Sequence, residues 1–180
     1  TVAERPRVGV AVEHASKHLA RWGGLRKPVT VYLVPSHQAL EDAVGLHGYD
    51  WLRAWARYDE VLLQTPSRWP PPGATDFELN ELLLHELTHC VMFQQAATTA
   101  SWVEKAIPLW FREGMATFTA HQGYRMLSLE DLSRFLETHP GADPVRRADD
   151  LGGAPPPSAG LTVLGRIFRS AIPHRLEAMK

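Results

Sequence analysis

The chain has 180 residues, with 19 basic and 20 acidic side chains, nine histidines and one cysteine; at this length folding hides roughly 70% of the unfolded chain's surface, enough for one hydrophobic core, so a single domain over 1–180 is expected. A formal net charge of −1 without a long basic run excludes the electrostatic footprint of a phosphate-backbone binder, and nucleic acid is not an expected partner. A single cysteine can form neither an internal disulfide nor a cysteine-based zinc finger, which leaves histidine and carboxylate as the materials for any metal site.

In chain order, Val8, Val12, Ala15, Leu19 and Trp22 fall at helical spacing and Gly23-Gly24 ends the pattern, which predicts a first helix over 8–22. Pro28–Val34 is β-branched and aromatic and reads as a strand. A short helix from about Ser36 to Val44 follows, with a serine cap and Gly45 as its stop. Val61-Leu62-Leu63 centres a second strand. After the break at Pro70–Gly73, Thr75 and Glu78 have capping-box spacing, so a long helix is expected from Asp76 to about Gln95, with Phe77, Leu83, Leu84, Leu87 and Val91 as its apolar flank. Pro108 and Gly123 bracket a further helix. Residues 152–160, GGAPPPSAG, read as a loop or linker, and Leu161, Leu164, Phe168 and Ile172, with Arg166, Arg169 and Arg175 beside them, as an amphipathic segment that is a docked surface helix or, as the alternative, a basic membrane-surface helix. No apolar run reaches the roughly 20 residues of a membrane span, and the start TVAERP shows no signal peptide.

The chemistry is carried by HELTH, His85 to His89, inside the capped helix. Residues four apart lie one above the other, so His85 and His89 can present ring nitrogens to one metal ion, while Glu86, about 100° round, can reach a water on that ion without being a ligand. From this composition the pattern arises by chance in roughly 0.03 of shuffled chains, which makes it informative without deciding the matter. Its setting, LLLHELTHCVMF, argues against a merely exposed pair of histidines, because a polar face among leucines is costly without a reason.

A catalytic zinc takes three protein ligands. Met92 and Gln95 stand where a metzincin has glycine and histidine, excluding that class. Glu113, 24 residues after His89 in PLWFREGMATF, is the candidate third ligand: a glutamate flanked by Trp110, Phe111, Met115 and Phe118 needs a positive partner.

HELTH followed by WFREGMA resembles the gluzincin metallopeptidases of the peptidase MA-like family, whose pattern is HExxH and then WxxEGxA. The resemblance covers about residues 28–123. It implies an α+β, zincin-like fold with a short N-terminal sheet, Zn2+ as cofactor, His85, His89 and Glu113 as ligands and Glu86 as the base. Within the single domain two lobes are expected, about 1–95 with the active-site helix and about 96–180 with the third ligand. The family further carries a strand like Val29–Val34 and an edge strand like Glu60–Gln64, and it points to a bacterial protein exported from the cytoplasm. Arg112 before Glu113 and Thr117 after it depart from the thermolysin pattern, and the GxMEN motif of the M1 aminopeptidases is absent.

The expected activity is zinc-dependent endopeptidase hydrolysis of a peptide or protein substrate, with Glu86 accepting the proton of the attacking water. The alternative is a catalytically silent zinc-containing module that binds peptides or proteins. A donor for the developing oxyanion is required as well. Tyr124 is the first candidate and His121 the second, with Tyr58 and His174 behind them. Asp59–Gln64 is either an edge able to pair with an extended substrate, with Asp59 and Glu60 favouring basic residues, or an ordinary internal strand. Cys90 reads as a buried core thiol, and His14, His18, His37, His47 and His139 as surface or loop residues.

Overall fold

The computed structural model describes residues 2–104, 107–125 and 128–138. The chain combines helices with a three-stranded mixed sheet and divides between residues 106 and 107 into two compact units. No helix among the described residues is long and apolar enough to cross a membrane. The loop at 152–160, the segment 161–172, His139 and His174 lie outside the described residues.

In the first unit, α1 (Arg5–Leu19) buries Val8, Ala11, Ala15 and Leu19, a single stripe at helical spacing. A turn of 3₁₀ helix carries the chain to Gly23, whose φ of 90° is the left-handed geometry that ends a helix. Gln95 packs against this glycine so closely that a Cβ there would stand 3.1 Å from Nε2.

The sheet holds β1 (Thr30–Val34), β2 (Ala54–Ala56) and β3 (Glu60–Gln64) in the order β1-β3-β2. β1 runs parallel to β3, with Val31 opposite Val61, and β2 antiparallel to it, with Trp55 opposite Leu62. The parallel pair needs a crossover, which α2 (His37–Val44) supplies. Ser36 caps that helix by accepting from Ala39 N, and Gly45, at φ 71°, closes it. Leu40, Leu52 and Leu62 form a buried cluster joined by Val34, Val44, Tyr49 and Trp55, so the Leu62 face of the sheet packs on α2.

β3 is the central strand, and the edge reading of Asp59–Gln64 is therefore corrected in favour of the internal one. Arg57 N donates to Glu60 O in a tight turn, and this folds 54–56 back along β3. With both sides of β3 paired, no substrate strand can be added to it. The Glu60 carboxylate is also taken up, 3.4 Å from the Arg57 guanidinium.

α3 (Asp76–Ala96) packs on α1, β2 and β3. Its start is fixed by the reciprocal cap: Thr75 Oγ1 accepts from Glu78 N at 3.2 Å, and Glu78 Oε2 accepts from Thr75 N at 2.8 Å. Leu79, Leu83, Leu87 and Cys90 are essentially inaccessible, and Leu84, Val91 and Phe93 are buried on other sides, so this helix is apolar nearly all round, as a core helix must be. Phe77 departs from the expected flank. It is 65% exposed, and burial of the helix begins one turn in, at Leu79.

In the second unit, α4 (Leu109–Thr119) begins after Pro108 and buries Gly114, Met115, Ala116, Thr117 and Thr119. It ends a turn before Gly123. The stop is His121, which takes a left-handed φ of 58°, and Gly123 belongs to the following 3₁₀ turn, Gln122–Arg125. α5 (Leu129–Thr138) is opened by Ser128, whose Oγ accepts from Asp131 N at 3.0 Å.

Candidate metal centre

α3 determines where the two histidines point. Side chains on a helix lean back over the preceding turn, so residues at i and i+4 overlie each other. His85 and His89 obey this: their ring centroids are 4.9 Å apart at 74°, and Nε2 of one is 3.2 Å from Nε2 of the other. That separation carries chemical information. A tetrahedral zinc with bonds of about 2.0–2.1 Å spaces two ligand nitrogens about 3.3 Å apart. Both rings thus direct the same nitrogen to one point, at a spacing that suits an ion held between them. Without an ion the same distance accommodates one N–H donating to the other ring.

The pair lies in an apolar helix. His89 is 7% exposed and Glu86 8%, among leucines that are almost wholly inaccessible. Burying an imidazole and a carboxylate side by side costs stability unless a partner compensates. A divalent cation is the partner that suits two imidazoles and an adjacent carboxylate. Glu113 lies on α4 and is half-buried. Among the described residues, His85, His89 and Glu113 are the group of histidine and acidic side chains able to hold a metal ion, with one ligand atom from each within 4.8 Å of the others. Two nitrogens and one carboxylate oxygen form a donor set that zinc accepts, although other divalent metals accept it too.

The remaining candidates separate clearly. Tyr124 is 61% exposed in the 3₁₀ turn after α4, and His121 is exposed at the end of that helix. Tyr58 is 5% exposed, its backbone carbonyl accepts from Gln94 Nε2 at 2.9 Å and the Lys27 ammonium lies over its ring. The His14 and His18 rings lie 4.4 Å apart, tilted at 53°, on the outer side of α1, and His47 lies 3.8 Å from Asp42. His37 is more than a surface residue. Its Nδ1 lies 3.1 Å from Leu52 O and its Nε2 3.4 Å from Glu41, tying α2 to the segment before β2.

Cys90 is a core thiol with a hydrogen bond. Its Sγ donates to Arg57 O at 3.2 Å, and burial first, then the charges of Glu86 and Asp59, push its pKa far up. A reading of motif alone misses two residues. Phe93, 4% exposed, is inclined only 18° to the His89 imidazole with centroids 6.2 Å apart, and Gln94, 1% exposed, joins α3 to the loops before β1 and β3. Spacing held the signal for Phe93, an aromatic four residues after a presumed ligand.

Comparison with protein-family models, with curated proteins and with solved structures yields no match.

Proposed function

We propose that this chain is a zinc metallopeptidase of gluzincin type, hydrolysing peptide bonds in a peptide or protein substrate. The observation that carries the reading is the convergence of His85 and His89 Nε2 at 3.2 Å on a buried helix that also bears Glu86. The likeness of HELTH and WFREGMA to the peptidase MA-like pattern supports it from the sequence side.

His85, His89 and Glu113 would hold the metal. Bound there, zinc would polarise the scissile carbonyl and lower the pKa of a water towards about 7. Glu86 follows His85 about 100° round the helix, from where its carboxylate would reach a water on the ion without being a ligand. It accepts the proton of the attacking water and returns it to the leaving amine. Glu86 is 8% exposed, and a charge in so buried a setting acts more strongly than one in bulk water. Tyr124 and His121 are the donors to test for the oxyanion, by Tyr124→Phe and His121→Ala kinetics.

Elemental analysis should find one zinc per chain, and cleavage of casein or a peptide mixture should stop on addition of o-phenanthroline. Glu86→Ala should keep the zinc and lose about 10²–10⁴ in rate. A variant that cleaves as fast as the parent removes Glu86 from the mechanism. Zinc present without cleavage under any condition selects a zinc-holding binding module, and absence of zinc defeats both readings.

A further inference from the structure

His89 is one member of a run of rings. The Phe93 ring is inclined only 18° to the His89 imidazole with centroids 6.2 Å apart, and Trp102, in the 3₁₀ turn Trp102–Glu104, lies 5.5 Å from Phe93 at 50°. Phe93 is 4% exposed and Trp102 half-buried. All three belong to the first unit.

This arrangement bears on a specific weakness of a histidine ligand. The torsion that turns an imidazole about its Cβ–Cγ bond is broad and roughly two-fold, so α3 fixes where the His89 ring is but not its plane. A metal ion requires that plane, because the lone pair on Nε2 lies within it. Ligating histidines are usually held through the second ring nitrogen. A near-parallel phenyl group on the next turn, offset with its centroid 6.2 Å away, adds a guide: a twist of the imidazole gives up the parallel arrangement of the two rings, and Trp102, 5.5 Å from Phe93, packs on that phenyl group in turn.

We propose that Phe93 is a positioning residue for the metal ligand His89, with Trp102 as its support. The inference rests on the zinc reading above, and it assigns Phe93 no contact with substrate or ion. Its mechanism is pre-organisation: the ring is held in the plane that binding demands, so less conformational freedom is lost when the metal enters.

The test uses the full chain with Phe93→Leu, which keeps an apolar side chain but removes the flat face, and Phe93→Tyr, which keeps the face. Zn2+ affinity is measured by competition with a chromophoric chelator, and ligand geometry by the visible spectrum of the Co2+-loaded protein. Phe93→Leu should weaken zinc roughly three- to tenfold, the range an aromatic pair supplies beyond its burial, and should shift and broaden the Co2+ bands. Phe93→Tyr should restore both. Should Phe93→Leu fail to fold by circular dichroism, Trp102→Leu is read in its place and should move both observables in the same direction. A leucine variant that loses thermal stability yet binds zinc as tightly as the parent, with an unchanged Co2+ spectrum, overturns the positioning role and leaves the zinc reading intact. Failure of every form, parent included, to bind metal defeats the zinc reading and this inference together.

Discussion

Gln94→Leu removes a side chain that is 1% exposed and makes hydrogen bonds to two separate loops. Lys27 N donates to its Oε1 at 2.9 Å, and its Nε2 donates to Tyr58 O at 2.9 Å and, more distantly, to Lys27 O at 3.4 Å. Leucine fills much the same volume, so the cost arises from the partners left behind. The bond to Tyr58 O is buried, and an acceptor stranded there loses about 1–3 kcal/mol; the Lys27 amide is only partly buried, can turn to water, and loses about 1 kcal/mol. Together these give a destabilisation of about 2–4 kcal/mol, which for a chain of this size lowers the melting temperature by roughly 4–16 °C. Urea titration followed by far-UV circular dichroism should show an earlier midpoint with an unchanged slope, and zinc affinity below the transition should match the parent. A midpoint indistinguishable from the parent's would refute the account, since it would mean that the two loops need no partner from α3.

The Glu41 carboxylate is held below its ordinary value of 4.5, chiefly by the Tyr49 N–H at 3.0 Å, with burial opposing and the Gly48 N–H, His37 and His47 assisting. A depressed carboxylate stabilises above its unfolded pKa and stops doing so as pH falls through its folded pKa, so Glu41→Gln should flatten the acid side of a stability profile below about pH 4.5; parallel profiles for variant and parent would dismiss this contribution. Cys90, with its pKa raised by burial, should ignore a thiol reagent at pH 8 in the native protein and react stoichiometrically in guanidinium. Prompt labelling of the native chain would show that the thiol is not in the core.

Much of the first unit was legible because its signals are local. The Ser36 cap with Gly45, and the Thr75–Glu78 box, each specify a helix end through a few neighbouring atoms, and both form as expected. Periodicity located the β1 and β3 runs but not the order in the sheet, which depends on β2. Ala54–Ala56 has too little pattern to be seen, three residues made into a strand by the Arg57–Glu60 turn that lays them on β3. That turn is why, of the edge and internal readings of Asp59–Gln64, the internal one holds. Gly123 misled for a related reason: glycine is the usual helix stop, but here His121 takes the left-handed conformation itself. At the site, the i, i+4 spacing of His85 and His89 was readable, whereas the burial of Tyr58 depends on residues far away in sequence, Gln94 among them.

The division of the chain after residue 106 falls between the second histidine and Glu113. During synthesis the first unit emerges with two imidazoles and the presumed base in place, some residues before the third donor is made. Two imidazoles alone make a weak and exchangeable binding site, so under the zinc reading a nascent or truncated chain ending near residue 106 would retain little metal and cleave nothing. Under that reading the third donor would be added at a defined point in translation, after every residue of HELTH is already in the chain.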